Sequence, residues 1–261
     1  MDVLETFSLK GRTAVLTGGA GGYGLQCAAA LAEAGARTFM AARHLDALEA
    51  VARGFRDRGY DVTALQFDQG DEKSILRLRD EVKERAGVVD ILVNNAVSRP
   101  VKGGWEGTSA ELDESYHING TGLFLVTRAF GEMMIERKTG SIVNIASMMG
   151  MIGVENGNYE GTSMSGWGPD YFFHKGGMIN LTRQEASYFG RFGIRVNAVS
   201  PGGLESPTQP EAFKRNYGKR TQLGRLANGT DLKGVIVFLA SDASVYVTGT
   251  NIPVDGGYTA K

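Results

Sequence analysis

Side chains that bind transition metals are scarce in this chain, which has one cysteine and three histidines among 261 residues. A single thiol cannot form an intrachain disulfide or a cysteine metal cluster. Because Cys27 lies in a run of small residues, we expect it to be a buried packing residue rather than a reactive thiol. We expect His117 and His174 to be packed or surface residues rather than metal ligands. The sequence therefore predicts no metal in the chemistry.

Charge of one sign is not in excess either, and long apolar runs are missing. The 28 basic and 29 acidic residues leave a net charge of -1, so we expect no nucleic-acid partner. No apolar run is long enough to span a bilayer, and the N-terminus lacks the layout of a signal peptide. These absences predict a cytoplasmic protein with no membrane partner, and the length favours one domain over residues 1–261.

What the chain does contain is an alternation of short apolar runs with longer segments of helical period, which is typical of βαβ units. The apolar runs are uninterrupted, and this indicates a sheet covered on both faces. We therefore predict an α/β fold: a single-domain, Rossmann-like, doubly wound parallel β-sheet with helices on both faces. The predicted strands are 13–16, 38–41, 62–65, 90–93, 141–145, 194–198 and 251–254, and the predicted helices are about 22–35, 45–58, 71–86, 111–137, 171–191 and 230–241.

A glycine-rich loop follows the first predicted strand and opens the first predicted helix. Such a loop lets the backbone approach a pyrophosphate, and the helix N-terminus supplies free N–H groups and partial positive charge. Two registers fit: Gly19, Gly21 and Gly24 match G-x-G-x-x-G, whereas Gly18, Gly22 and Gly24 match G-x-x-x-G-x-G. The flanking strand and helix favour dinucleotide binding over a merely structural turn. The candidate cofactor residues in this loop are Gly18, Gly19, Gly22, Tyr23 and Gly24.

The end of the second strand bears on the choice of dinucleotide. NAD sites usually place an acid there for the ribose 2′-hydroxyl, whereas a nearby arginine accommodates the 2′-phosphate of NADP. Here Arg43 follows the strand, and no acid occurs before Asp46. The sequence therefore favours NADP(H), with NAD(H) possible as the alternative and a solvent-exposed arginine as the simpler interpretation of Arg43.

Tyr171 and Lys175 form the most specific chemical pair in the sequence. Residues four apart lie on one face of a helix and can meet a common ligand. A free tyrosine has a pKa near 10 and is a poor base, but a neighbouring ammonium favours the phenolate and lowers that pKa. We therefore expect Tyr171 to act as a general base on an alcohol or as an acid on a carbonyl.

Other candidates follow predicted strands or lie in the long helix. Ser147 comes just after the fifth strand, where its hydroxyl can hydrogen-bond a substrate oxygen, although a turn serine is the simpler interpretation. Asn95 and Ala96 follow the fourth strand and are candidate cofactor contacts. Asn119 lies in the helix predicted over about 111–137, where it can orient a water or serve as a structural amide.

Together these motifs resemble the short-chain dehydrogenase/reductase family over nearly the whole chain, from the glycine loop to Asp255-Gly256-Gly257. The resemblance implies a catalytic tetrad of Asn119, Ser147, Tyr171 and Lys175, with Lys175 also binding the nicotinamide ribose. It further implies hydride transfer and a homo-oligomer, either a tetramer or a dimer, with the helices at about 111–137 and 171–191 in the interface. Further cofactor contacts implied by the resemblance are Asp68, with Gln69 beside it, at the adenine, and Pro201, Gly202 and Ser206 near the nicotinamide.

One departure from the family pattern lies between Ser147 and Tyr171, which are 24 residues apart, about twice the usual spacing. The extra segment, 151–170, must loop out beside the active site, and residues 203–222 are expected to form a substrate flap. Tyr159 and Trp167 are candidates to stack on a sugar ring, and Arg99 brings a cation to the same end of the sheet. These residues, with Ser147, predict a small polar substrate such as a polyol, keto-sugar or sugar acid.

Three alternatives to this function remain open at the level of sequence. One is a 3-oxoacyl or steroid-type carbonyl reductase. Another is a nucleotide-sugar epimerase or dehydratase, although these usually carry a larger C-terminal substrate domain. The third is a dinucleotide-binding regulator without catalysis, which would have no need of Tyr171, Lys175 and Ser147.

Overall fold

The computed structural model describes residues 2–166 and 168–260. Its helices and strands alternate along the chain, as the apolar pattern predicts. The strands are β1 Thr13–Thr17, β2 Arg37–Ala42, β3 Val62–Gln66, β4 Ile91–Asn94, β5 Gly140–Ile145, β6 Ile194–Pro201 and β7 Asn251–Val254. The α-helices are α1 Gly22–Glu33, α2 Leu45–Arg56, α3 Glu72–Ala86, α4 Ser109–Tyr116, α5 Leu123–Arg137, α6 Pro169–Gly190, α7 Glu211–Gly218 and α8 Lys233–Ala240.

The seven strands form one parallel sheet in the order β3-β2-β1-β4-β5-β6-β7. The strand order reverses between the neighbouring strands β1 and β4, because β2 and β3 lie on one side of β1 and β4 to β7 lie on the other. Such a switch point opens a crevice at the carboxyl ends of the strands. The predicted doubly wound α/β fold is thereby confirmed.

Two apolar cores cover the two faces of this sheet, which explains why its strands read as uninterrupted apolar runs. One core packs α1, α2 and α8 against the sheet, and the other packs α3, α5 and α6 against the opposite face. Cys27 is fully buried in the first core, as expected of a packing residue, and burial raises its pKa to about 12.

The helix predicted over about 111–137 is wrong in one respect, because the structure divides it. A capping box of Thr108 and Glu111 starts α4, which ends at Tyr116. A π-helical turn over His117–Gly122 separates α4 from α5, so the hydrogen-bond register slips by one residue there. Such insertions frequently occur at functional sites, and Asn119 lies within this one.

Candidate active site

A cleft of about 590 Å³ lies at the carboxyl ends of β1, β4, β5 and β6. Its walls come from the glycine loop, the loops after these strands, the start of α6, the extra segment and the flap. The predicted site residues that line it are Gly18, Gly22, Tyr23, Gly24, Asn95, Ala96, Arg99, Ser147, Tyr159, Tyr171, Lys175, Pro201 and Gly202. The fold therefore brings residues from most of the chain to one crevice.

The glycine loop has the form that a dinucleotide pyrophosphate needs. Gly18 has a φ of 75°, which favours glycine, and its carbonyl oxygen would lie 2.1 Å from a Cβ on Gly24. The Asn95 side chain fixes this turn by donating to the Gly18 carbonyl at 2.7 Å. A Cβ on Gly21 or Gly22 would meet nothing within 4 Å, so this backbone, at the N-terminus of α1, faces the open cleft. The residues present fit a nicotinamide dinucleotide.

The glycines of the two registers differ at Gly19, since Gly21 also lines the cleft. Gly18, Gly22 and Gly24 all line the cleft. A Cβ on Gly19 would lie 2.7 Å from the Met40 methyl group, so Gly19 packs towards the core, and it is not among the cleft-lining residues. The hydroxyl of Tyr23 donates to the Gly202 carbonyl at 3.0 Å and so joins the glycine loop to the segment after β6.

Ser147, Tyr171 and Lys175 meet at the centre of the cleft. The Ser147 hydroxyl is hydrogen-bonded to the Tyr171 hydroxyl, and it also accepts a bond from the Met149 N–H at 3.1 Å. The Lys175 Nζ donates to the Ile145 carbonyl at 2.5 Å and lies 5.8 Å from the centre of the Tyr171 ring. Helix α6 can approach this closely because Gly150 has no side chain. A Cβ at this position would lie 2.6 Å from the Lys175 carbonyl oxygen.

The expectation that Lys175 lowers the pKa of Tyr171 is wrong for this structure. Burial raises the pKa of the phenol, while the Ser147 hydrogen bond and the Arg99 charge lower it. Burial and then Arg99 reduce the pKa of Lys175 itself to about 7. The reason is that enclosure disfavours the charged forms of both groups.

Asn119 does not line the cleft, and its carboxamide is engaged with the protein. Its Oδ1 accepts from the Ser98 N–H at 2.9 Å, and its Nδ2 donates to the Ser98 carbonyl at 2.8 Å. The side chain therefore clamps both backbone groups of the residue that precedes Arg99. This arrangement is that of a structural amide, and the water-holding role stays a prediction.

Several other predicted cofactor residues lie outside the cleft. The Asp68 carboxylate accepts from the Gly70 N–H at 2.9 Å, and the Gln69 side chain donates to the Ile118 carbonyl at 2.9 Å. Arg43 is exposed at the end of β2 and shares a separate cavity of about 300 Å³ with Asp68. The Ser206 hydroxyl lies 3.0 Å from that of Thr208 in the flap.

The substrate end of the cleft is formed by the extra segment and the flap. Tyr159 packs on Phe213 of α7 with ring centres 5.5 Å apart, and Arg220 pairs with Glu155 at 3.1 Å. The predicted contact Trp167 falls outside the described residues. Cleft residues absent from the prediction include Met148, Met149, Met164, Ser165, Gln209, Phe213 and Tyr217. The eight residues of 211–218 are too few to show a clear helical period, so no local signal in the sequence identifies α7 and Phe213.

The described residues contain no helix of the length and apolar character needed to cross a membrane. Within the same ranges, no three His, Cys, Asp or Glu side chains come together as a metal site.

Comparison with known proteins gives the same assignment over nearly the full length. A family model described as Enoyl-(Acyl carrier protein) reductase matches residues 18–259. Galactitol 2-dehydrogenase of Rhizobium johnstonii is 35% identical over 99% of both chains. A gluconate 5-dehydrogenase from Burkholderia cenocepacia, solved with NADP and tartrate, is 32% identical over 100% of both chains with a TM-score of 0.89. A short-chain type dehydrogenase/reductase from Mycobacterium marinum is also 32% identical over 100% of both chains, with a TM-score of 0.87.

The predicted family and enzyme class are therefore confirmed. The chain is a nicotinamide-dependent oxidoreductase and belongs to the short-chain dehydrogenase/reductase family.

Proposed function

We propose that the protein interconverts a secondary alcohol and a ketone on a hydroxylated carboxylic acid, such as a sugar acid, with NADP(H). The observation that carries this proposal is the hydrogen-bonded pair of Ser147 and Tyr171 in a cleft that the Arg99 cation also lines. The proposal refines the polar-substrate prediction by selecting the acids among polyols, keto-sugars and sugar acids.

The roles proposed for Ser147, Tyr171 and Lys175 follow from these contacts. A nicotinamide bound in this cleft would supply the hydride acceptor for oxidation of the alcohol and the hydride donor for reduction of the ketone. Tyr171 removes the hydroxyl proton of the alcohol during oxidation and returns it to the carbonyl oxygen during reduction. Ser147 hydrogen-bonds the same oxygen and stabilises the charge that develops on it. Lys175, whose Nζ donates to the Ile145 carbonyl, binds the nicotinamide ribose in this proposal.

Arg99 supports an acidic substrate. It lines the cleft, and its charge lowers the pKa values of both Tyr171 and Lys175, so the guanidinium lies near the reacting centre. A planar guanidinium matches a carboxylate in two parallel hydrogen bonds. The Burkholderia cenocepacia relative acts on a sugar acid and was solved with tartrate, another hydroxylated acid.

NADP(H) is proposed over NAD(H) because Arg43, and no acid, follows β2. The same relative was solved with NADP. In this proposal Arg43 contacts the 2′-phosphate from its exposed position at the end of the strand.

The test is a matrix of kcat/KM values for gluconate and galactitol with NADP+ and NAD+. We expect gluconate with NADP+ to be best, and we expect Arg99→Gln to lower kcat/KM for gluconate at least about tenfold more than for galactitol. The matched control is Lys102→Gln, which removes an exposed cation from the same loop. Preference for galactitol in the parent enzyme would contradict the acid assignment, and preference for NAD+ would contradict the role of Arg43.

The family description also names reduction of an enoyl thioester, so the panel includes crotonyl-CoA with NADPH. The tyrosine-based proton transfer described above acts on an oxygen rather than on an alkene. Reduction of crotonyl-CoA faster than turnover of any hydroxy acid would favour the alternative chemistry. Dinucleotide binding with no turnover would favour the regulator.

We also propose a homo-oligomer that uses α5 and α6. Phe124 and Phe173 on these helices are 51% and 69% exposed, and large exposed aromatics commonly mark protein interfaces. We expect light scattering to give a dimer or tetramer mass and Phe173→Glu to reduce it. A monomer mass for the parent chain would contradict this proposal.

A further inference from the structure

A buried chain of hydrogen bonds runs from the start of α6 to the loop after β4. Ser115 donates to the Asp170 carboxylate through a short hydrogen bond, and the Asn119 Nδ2 donates to the Ser115 Oγ at 3.2 Å. Asn119 in turn holds the Ser98 N–H and carbonyl. Ser115, Asn119 and Asp170 are 0%, 4% and 2% exposed. This chain of hydrogen bonds therefore joins the start of α6, the end of α4 with the following π-helical turn, and the loop after β4 through groups that are shielded from water.

Both ends of this chain lie next to residues of the active site. Asp170 directly precedes Tyr171, and Ser98 directly precedes Arg99. Tyr171 and Arg99 line the same cleft from different walls. Fixing Asp170 relative to Ser98 thus fixes the start of α6 relative to the loop that carries Arg99.

The local sequence makes room for the carboxylate at this point. A Cβ on Gly168 would lie 2.6 Å from the Asp170 Oδ1 and 3.2 Å from a Val101 methyl group, so only glycine fits there without a shift. Asp170 is also the last residue of the extra segment, which therefore ends in a buried anchor.

We propose that Asp170 and Ser115 are positioning residues, which act through Asn119 and Ser98 to hold Arg99 and Tyr171 in one fixed geometry. The inference rests on the proposed function, because it assigns the geometry to proton transfer at Tyr171. Neither residue lines the cleft, so neither contacts the substrate directly. Their effect is on the distance between a guanidinium and a phenol.

This geometry matters because Arg99 is one of the groups that set the acidity of the phenol. The groups that face or adjoin Tyr171 are Ser147 and Arg99 across the cleft, Lys175 and His174 on its own helix, and Tyr23 from α1. Burial raises the pKa of Tyr171 and the Arg99 cation lowers it. Movement of Arg99 away from the phenol therefore makes the phenolate harder to form.

Ser115→Ala is the most direct test, because it removes one link without changing any charge. We expect kcat for gluconate oxidation with NADP+ to fall about tenfold, since small misplacements of reacting groups cost this much or more. We expect the acidic limb of the kcat pH profile to move up by about 0.5 pH unit or more as the Arg99 attraction weakens. The NADP+ dissociation constant should change less than about twofold, since the glycine loop is untouched.

Three further variants separate positioning from general destabilisation. Ser109→Ala removes an exposed serine from the same helix and should leave all these values unchanged. Asp170→Asn keeps the shape of the side chain but replaces the carboxylate that accepts from Ser115 with a neutral amide. If both residues act through one chain, the double variant Ser115→Ala/Asp170→Asn should lose little more activity than the more damaging single variant.

The proposal would be overturned if folded Ser115→Ala kept kcat within twofold of the parent and the acidic limb of its pH profile within 0.2 pH unit of the parent. Full additivity in the double variant would also overturn it. If Ser115→Ala does not fold, kcat in Asp170→Asn decides the question: a fall of about tenfold supports the proposal, and a value within twofold of the parent overturns it.

If the parent enzyme oxidises no hydroxy acid, the proposed function fails. The positioning role is then decided by ultraviolet titration of tyrosinate, taken as the difference between each chain and its Tyr171→Phe counterpart. The Tyr171 transition should lie at higher pH in Ser115→Ala, and an unchanged transition would overturn the inference.

Discussion

Replacing Glu185 with glutamine tests how the core beneath the active site carries an ionisable group. Glu185 is 4% exposed on α6, and its Oε2 accepts from the Asn144 side chain at 2.8 Å. Burial raises the pKa of this carboxyl to about 7, and hydrogen bonds from Asn144 and Thr127 only partly oppose the increase. A free glutamate has a pKa of about 4.3.

The sign of the resulting pH dependence follows from these two values. The folded protein holds the Glu185 proton more tightly than the unfolded chain, so the group stabilises the fold most at low pH. That stability is lost as the pH rises from about 4.3 through about 7. Between pH 5 and pH 8 this one carboxyl should lower the free energy of unfolding by about 2.5 kcal/mol.

Glu185→Gln keeps the size of the side chain and removes this proton. We expect urea unfolding of the parent and the variant at pH 5, 6, 7 and 8 to give curves that diverge, with the variant relatively more stable as the pH rises. The control is Glu132→Gln on α5, which removes an exposed carboxylate. If the difference between parent and Glu185→Gln were the same at pH 5 and pH 8, the reasoning about burial would be refuted.

Two further predictions concern the glycine loop and a buried imidazole. Gly24→Ala should weaken NADP+ binding more than about tenfold, because its Cβ would lie 2.1 Å from the Gly18 carbonyl oxygen. The control Gly54→Ala on α2 should leave NADP+ binding unchanged. Calorimetry measures both affinities, and equal values for the two variants would contradict the fit of the loop. His174→Leu should raise the free energy of unfolding by about 1 kcal/mol at pH 7, because both buried ring nitrogens lack hydrogen-bond partners among the described residues. Burial lowers the pKa of His174 to about 3, so the parent loses stability as the pH falls below about 6.5. The gain in free energy of unfolding from His174→Leu should therefore be larger at pH 5 than at pH 7. An equal gain at pH 5 and pH 7 would contradict this account.

The sheet and most helices could be predicted from sequence because their signals are local. Each parallel strand is a short apolar run, and the glycine loop follows the first strand in both prediction and structure. The break at His117–Gly122 could not be predicted, because a one-residue slip in hydrogen bonding leaves the apolar period nearly unchanged. Helix α7 was missed since eight residues give too few turns for a clear period.

The candidate site divides in the same way. Tyr171 and Lys175 were recognisable because one turn of helix brings them together. The hydrogen bond between Ser115 and Asp170 joins residues 55 positions apart, so no local sequence pattern predicts it. The pKa of Tyr171 depends on enclosure by several elements, so a prediction based on its neighbour in sequence gave the wrong direction.

The claim on which the account depends most is that Tyr171 transfers the proton during turnover. Tyr171→Phe removes only the hydroxyl, and we expect kcat for gluconate oxidation with NADP+ to fall by about 10³-fold, while the NADP+ dissociation constant stays within about threefold of the parent value. Tyr188→Phe, which changes an exposed tyrosine on the same helix, should retain parent activity. A Tyr171→Phe enzyme that keeps more than a tenth of the parent kcat would contradict the account.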